Sequence, residues 1–125
     1  MSVTILRSLL VVMLVAPGLA RAELPDLSCT LTEECTVGQP CTETAIDFDL
    51  EPVPGGYGAA VDSGWVEVMQ VSPPEAEVKS FMLSGPASIT VLLSLFPDGA
   101  LALTVHEDID GRHVETAFGR CVEEI

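Results

Sequence analysis

The chain has 125 residues and carries 19 acidic side chains against five basic ones, which gives a formal net charge of −14 at pH 7. A protein this acidic is repelled by nucleic acid and by anionic membrane surfaces, so neither is expected as a partner. The length fits one domain with a single hydrophobic core.

The first residues have the pattern of a secretory signal peptide. A basic residue precedes the apolar run Leu9–Ala16, and Ala20-Arg21-Ala22 has the small-x-small pattern of a signal peptidase site. A membrane anchor is the alternative, but the run has about eight residues, whereas a helix needs roughly 20 to span a bilayer. We therefore expect residues 1–22 to be removed and residues 23–125 to form a single all-β domain that is periplasmic or secreted, without stable insertion in a membrane.

Cleavage would make the remaining chain more acidic still. Three basic residues, Lys79, Arg112 and Arg120, would face all 19 acidic residues, so the formal charge would fall from −14 to −16. This charge favours solubility in an exported protein. It also suits a basic protein partner, which electrostatic attraction would steer toward the surface.

Four cysteines, Cys29, Cys35, Cys41 and Cys121, are spaced as C-x5-C-x5-C followed by one distant residue. Zinc and redox sites favour C-x2-C pairs, so this spacing in an exported chain predicts disulfides, for which three pairings exist. The turn-forming segment 36–40 can bring Cys35 to Cys41, which leaves Cys29 to pair with Cys121. We therefore expect no free thiol.

After the cysteine cluster the sequence alternates with a period of two. In the segment 45–51, Ile46, Phe48 and Leu50 lie on one face of a predicted strand, while acidic residues occupy the other. The acidic residues, Asp47 among them, could attract calcium, but alternate residues on a strand stand about 7 Å apart, too far to chelate without a second segment. A solvated strand face is the preferred interpretation.

The middle of the chain predicts short strands separated by breakers. PVPGG ends the alternating strand, and segments 57–61 and 65–71 flank an Asp62-Ser63-Gly64 turn as a hairpin. SPPEAE follows, and then a short strand near residues 78–83. No segment after the signal peptide has the period of a helix.

The last third predicts a three-strand antiparallel meander. Pro97-Asp98-Gly99 has the composition of a tight turn that sets Leu95 opposite Leu101 on an apolar face. For Val114 and Phe118 to share that core face, the second loop must contain an even number of residues, because a slip of one residue exposes them. We therefore expect an even loop near 108–111.

These elements predict an all-β fold, a small antiparallel barrel or sandwich of about six to eight short strands that is cross-linked by disulfides. The L-x-C-x5-C-x5-C opening at Leu27, the x-P-D-G-x-A hairpin and the terminal Gly119-Arg120-Cys121 resemble small exported all-β proteins of alphaproteobacteria. The resemblance covers the two ends of the chain after the signal peptide, and it implies architecture without activity.

Two histidines are the best candidates for a metal site. The even second loop would place His106 and His113 on the same outward face, together with Asp108 and Glu115. Two imidazoles and two carboxylates could hold zinc or copper. A polar outer face beside a turn explains the same residues, and it is the interpretation we prefer, so we expect no metal and no cofactor.

The same outer face carries apolar residues, with Leu92 and Phe96 beside Ala100 and Ala102. Large exposed apolar patches are uncommon, so we expect another part of this chain to cover them, the alternative being a partner.

No catalytic constellation is visible in the sequence. The serines lack a G-x-S-x-G context, and a phosphate-binding loop is missing. We therefore expect a non-catalytic binding or accessory module whose ligand the sequence does not identify. The alternative is an acidic protein inhibitor of a basic secreted enzyme, such as a lysozyme or a protease.

Overall fold

A computed structural model describes residues 24–62, 64–83 and 88–124. The predicted signal peptide, residues 1–22, lies outside the described residues. Within these ranges, no helix has the length and apolar character that crossing a bilayer requires.

The described residues form eight antiparallel strands that close into one barrel, in which every strand pairs with its neighbours in chain order and the last strand pairs with the first. The predicted all-β antiparallel fold is confirmed. Because the sheet closes on itself, the fold is a barrel and not a sandwich. The strands are β1 (Leu27–Thr36), β2 (Thr42–Val53), β3 (Gly56–Val61), β4 (Gly64–Gln70), β5 (Lys79–Leu83), β6 (Ile89–Leu95), β7 (Ala100–Asp108) and β8 (Arg112–Glu123).

The core lies inside the barrel, because alternate residues of each strand point inward. Tyr57 and Phe81 pack edge to face, with ring centroids 5.2 Å apart. The acidic residues of β2 lie on the outer face, as the alternation predicted. The buried apolar residues are Leu27, Cys29, Leu31, Leu50, Tyr57, Ala59, Val68, Phe81, Leu93, Leu101, Ala117 and Cys121.

The β6–β7 turn has the predicted geometry. The Phe96 amide donates to the Ala100 carbonyl at 2.9 Å, and Gly99 takes a left-handed φ of 90°. The Asp98 carboxylate accepts a hydrogen bond from the Ala100 amide at 3.0 Å. Leu95 consequently lies opposite Leu101, as expected from the sequence.

The β7–β8 turn overturns the second register prediction. Asp108 pairs with Arg112, so three residues separate the strands, not an even number. This odd loop is stable because Asp110 and Gly111 both adopt positive φ angles, 57° and 119°. Phe118 and Val114 therefore occupy outward positions, and Phe118 is exposed, which corrects their expected place in the core.

The seam between β1 and β8 closes the barrel. Cys29 lies directly opposite Cys121 and forms a disulfide with it inside the barrel. The second disulfide joins Cys35 to Cys41 across the β1–β2 turn. These are the two pairs expected from the sequence, and all four cysteines are bonded.

Candidate functional site

An apolar cavity of about 400 Å³ occupies the barrel interior. We call the end that carries the β1–β2 and β7–β8 turns the upper end, and the end that carries the β2–β3, β4–β5 and β6–β7 turns the lower end. Tyr57 lines the cavity toward the lower end, while Ile46 and Val61 line it toward the upper end and are about 40% exposed. The walls between include Leu31, Phe48, Leu50, Val66, Leu93 and Leu103.

The cavity reaches the surface between β2 and β3. The ladder of these strands contains three pairs and stops at Glu51 with Gly58, so their upper portions separate. Inward and outward positions of both strands line the cavity there: Asp47 does so as well as Phe48, and Ala60 as well as Ala59. We call this opening the β2–β3 gap.

The sequence disfavours extension of the ladder to the upper ends of the two strands. Continued in the same register, it would place Asp47 directly opposite Asp62. Like charges directly opposite each other on paired strands are destabilising. Alanines at positions 59 and 60 supply little side-chain volume to fill the space, so the separated strands leave an open cavity.

Two acidic residues border the gap. Asp47 and Asp62 both line the cavity. The Thr30 hydroxyl donates a hydrogen bond of 2.7 Å to the Asp47 carboxylate, which holds it on the outer face of β2, on the side of β1. Of the basic residues, Lys79 donates to the carbonyls of Pro74 and Ala76 at the lower end. The mouth of the cavity is therefore negatively charged.

The remaining basic side chains do not neutralise this mouth. Arg120 donates to the Asp98 carbonyl at 2.6 Å, at the lower end of the barrel. Arg112 lies exposed at the β7–β8 turn. In the part of the chain that the structure describes, neither Asp47 nor Asp62 forms a salt bridge with a basic side chain.

Tyr57 fills part of the barrel interior toward the lower end. Its ring is 1% exposed, and its hydroxyl donates to the Pro25 carbonyl at 2.7 Å. Burial raises the pKa of Tyr57 to about 12, and the negative charges of Asp26 and Glu123 contribute. The neutral phenol thus ties the segment before β1 to the barrel.

The four predicted metal candidates do not come together. His106 pairs with Val114 on the outer face, where Asp108 also lies. His113 pairs with Glu107 at inward positions, and its Nε2 atom lies 3.3 Å from the Glu115 carboxylate. The odd β7–β8 loop causes this separation, because it shifts β8 by one residue relative to the predicted register.

A different cluster, formed by Glu33, Cys35 and Cys41, brings three side chains within 4.8 Å of one another. It offers no thiolate, since its two cysteines are disulfide-bonded.

Four exposed apolar side chains lie on the outside of the barrel from β5 to β8, and we call them the outer apolar row. Met82 pairs with Leu92, and Phe118 pairs with Ala102; Met82, Leu92 and Phe118 are each 37–42% exposed. Phe96, 40% exposed, lies at the lower end of the same side. The expectation that this chain covers these residues is wrong for residues 24–62, 64–83 and 88–124, which form a single layer.

The sequence interpretation missed the cavity. It recognised the inward residues of β2 and the turn at 62–64, but not that the upper portions of β2 and β3 would separate. The available signal was the facing pair Asp47 and Asp62 together with the small residues Ala59 and Ala60, which become visible once β2 and β3 are aligned.

Searches with family models, against curated proteins and against solved structures found no match to this chain.

Proposed function

We propose that this protein is a non-catalytic binding protein of the periplasm or the cell exterior, which holds a small apolar ligand inside its barrel. The signal-peptide pattern of residues 1–22 supports export, and two disulfides are typical of proteins in an oxidising compartment. The observation that carries the proposal is the open apolar cavity.

The size and lining of the cavity favour ligand binding. Small-molecule sites typically have volumes of roughly 300–1,000 Å³ and predominantly apolar walls. The cavity, at about 400 Å³, has room for roughly a dozen groups of the size of a water molecule. Partly exposed Ile46 and Val61 at its mouth would lose contact with water when a ligand enters, which adds to the driving force.

A neutral fluorescent probe tests the proposal. N-phenyl-1-naphthylamine should brighten on binding to the folded mature protein, and Ala59→Leu should weaken that binding because the added carbons occupy the cavity. Ala102→Leu makes the same change on the outside of the barrel and should leave probe binding unchanged. Circular dichroism establishes that both variants are folded.

The outer apolar row supplies the competing explanation for a bound probe. Phe118→Ser removes one apolar side chain from that row and leaves the cavity lining unchanged. Loss of probe binding in Phe118→Ser with full binding in Ala59→Leu would place the probe on the outer face and contradict the proposal. Absence of probe binding to the wild-type protein would contradict it as well.

A second candidate function is inhibition of a basic secreted enzyme. It is favoured by the acidic surface beside the chain's end, where a hydrogen bond with Asp49 raises the pKa of Glu124, and the negative charges of Asp49, Asp26 and Glu51 contribute. Such a surface attracts a cationic protein. A pull-down from periplasmic extract at low and high salt tests it: an inhibitor should capture a basic enzyme in a salt-sensitive way and suppress its activity.

A further inference from the structure

We infer that the ligand is an amphipathic cation that enters through the β2–β3 gap, with its apolar body in the cavity and its cationic head beside Asp47 and Asp62. The inference rests on the proposed function and adds the chemical class of the ligand. Two independent features carry it, namely the route by which the cavity opens and the charge at that opening.

The cavity opens through the wall of the barrel as well as at its upper end. The cavity is lined by an outward residue of each separated strand, Asp47 on β2 and Ala60 on β3, so it extends through the wall of the barrel. An elongated molecule can therefore place one end inside while the other stays at the surface. A ligand with one apolar and one polar end suits this geometry better than a wholly apolar one, because its polar end keeps its contact with water.

The charge at the opening determines which kind of polar head group the ligand can carry. Asp47 and Asp62 border it, and the described lysine and arginine side chains form no salt bridge with either. An anionic head would meet both carboxylates at the mouth of an apolar cavity, which is unfavourable. A cationic head gains from the same two charges. Each exposed ion pair strengthens binding by roughly threefold, and because the two factors multiply, about tenfold in favour of the cation is expected from two.

The only tryptophan of the chain lies close to the gap and serves as a reporter. Trp65 is about half exposed, and its indole ring covers Gly58, at which the β2–β3 ladder stops. A ligand that enters between the strands should therefore change the tryptophan emission, whereas a ligand on the outer apolar row between β5 and β8 should not.

The test compares three amphiphiles that share a decyl chain: decyltrimethylammonium, decyl maltoside and decyl sulfate, each kept monomeric. Calorimetry and Trp65 emission at low salt should show that the cation binds about tenfold more tightly than the neutral amphiphile. The anion should bind most weakly. High salt should reduce the preference for the cation.

Charge removal at the gap provides the matched variants. Asp47→Asn with Asp62→Asn should lower the affinity for the cation to that for decyl maltoside and leave decyl maltoside binding unchanged. Unchanged decyl maltoside binding also shows that the variant is folded. Asp62→Asn alone, at an exposed turn, is the second variant and should lose part of the preference. Asp108→Asn removes an exposed charge at the same end of the barrel but away from the gap, and should have no effect.

The outcomes separate this inference from the proposed function. Equal affinities for the cation and for decyl maltoside, or a cation preference that survives in the double variant, would overturn the inference and leave the cavity as an apolar site. Absence of binding by all three amphiphiles would overturn both. Protection of β2 backbone amides by an extended peptide, with no binding of decyltrimethylammonium, would show that the gap receives a strand and would overturn the inference.

Discussion

Removal of the disulfide at the barrel seam should destabilise the protein far more than removal of the disulfide at the β1–β2 turn. The comparison is between two double variants, Cys29→Ala with Cys121→Ala and Cys35→Ala with Cys41→Ala. Each double variant loses one cross-link and two sulfur atoms. The difference between their free energies of unfolding therefore depends on where in the chain the lost disulfide lies.

The structure sets the expected magnitude. The sequence separations are 92 residues for Cys29 and Cys121 and 6 residues for Cys35 and Cys41. In the chain-entropy model, loops of these lengths contribute about 4.6 and about 2.2 kcal/mol to the free energy of unfolding. The seam bond is also buried, with Cys29 1% and Cys121 7% exposed, so its loss leaves a small void in the core. The seam variant should therefore lose at least about 2.4 kcal/mol more than the turn variant.

Urea unfolding of the mature protein measures this difference. Trp65 emission and far-ultraviolet circular dichroism should give coincident transitions, which licenses a two-state free energy. The slope of the free energy against urea should rise in the seam variant, because an unfolded chain without the long cross-link exposes more surface. Equal losses of stability in the two variants, or a larger loss in the turn variant, would refute the reasoning.

Because the pKa of Tyr57 is raised from 10 to about 12, ionisation of its phenol opposes folding, so stability should be unaffected below pH 10 and should fall by roughly 3 kcal/mol as the pH rises through 12; Tyr57→Phe should remove this fall in unfolding curves recorded against pH. Gly119→Ala should cost about 3 kcal/mol or more by thermal unfolding, because its Cβ would collide with a backbone carbonyl, whereas Gly58→Ala should cost less and alter the emission of Trp65, a side chain that can move. The exported protein should begin at Glu23; an intact mass that still includes residues 1–22 would contradict the predicted cleavage.

The fold could be predicted from the sequence wherever one local rule decided the structure. The alternation in β2 predicts its inward face, and the Pro-Asp-Gly turn sets Leu95 opposite Leu101. The β7–β8 register could not be predicted in this way. Its loop length is decided by the left-handed conformation of Asp110, and β8 must also place Cys121 opposite Cys29 across the seam, a constraint from distant residues.

The candidate site was less accessible to sequence reasoning. The cavity is open because β2 and β3 stop pairing before their ends. The position of the β2–β3 gap depends on the register that pairs Glu51 with Gly58. The acidic residue Asp47 was correctly placed on the outer face. Its position at a cavity mouth follows only from the separation of β2 from β3, which brings it and Asp62 to a shared opening.

The seam has a consequence for the order in which the protein assembles. Each pairing among the described strands joins neighbours along the chain, except that of β1 with β8. Hairpins can therefore form as the polypeptide emerges, and Cys35 can meet Cys41 early, since only a short turn separates them. Cys29 must remain a thiol, on a strand that is paired on one side only, until β8 arrives. A chain interrupted before Arg112 would thus keep a reactive thiol on an open sheet edge, able to cross-link to another chain.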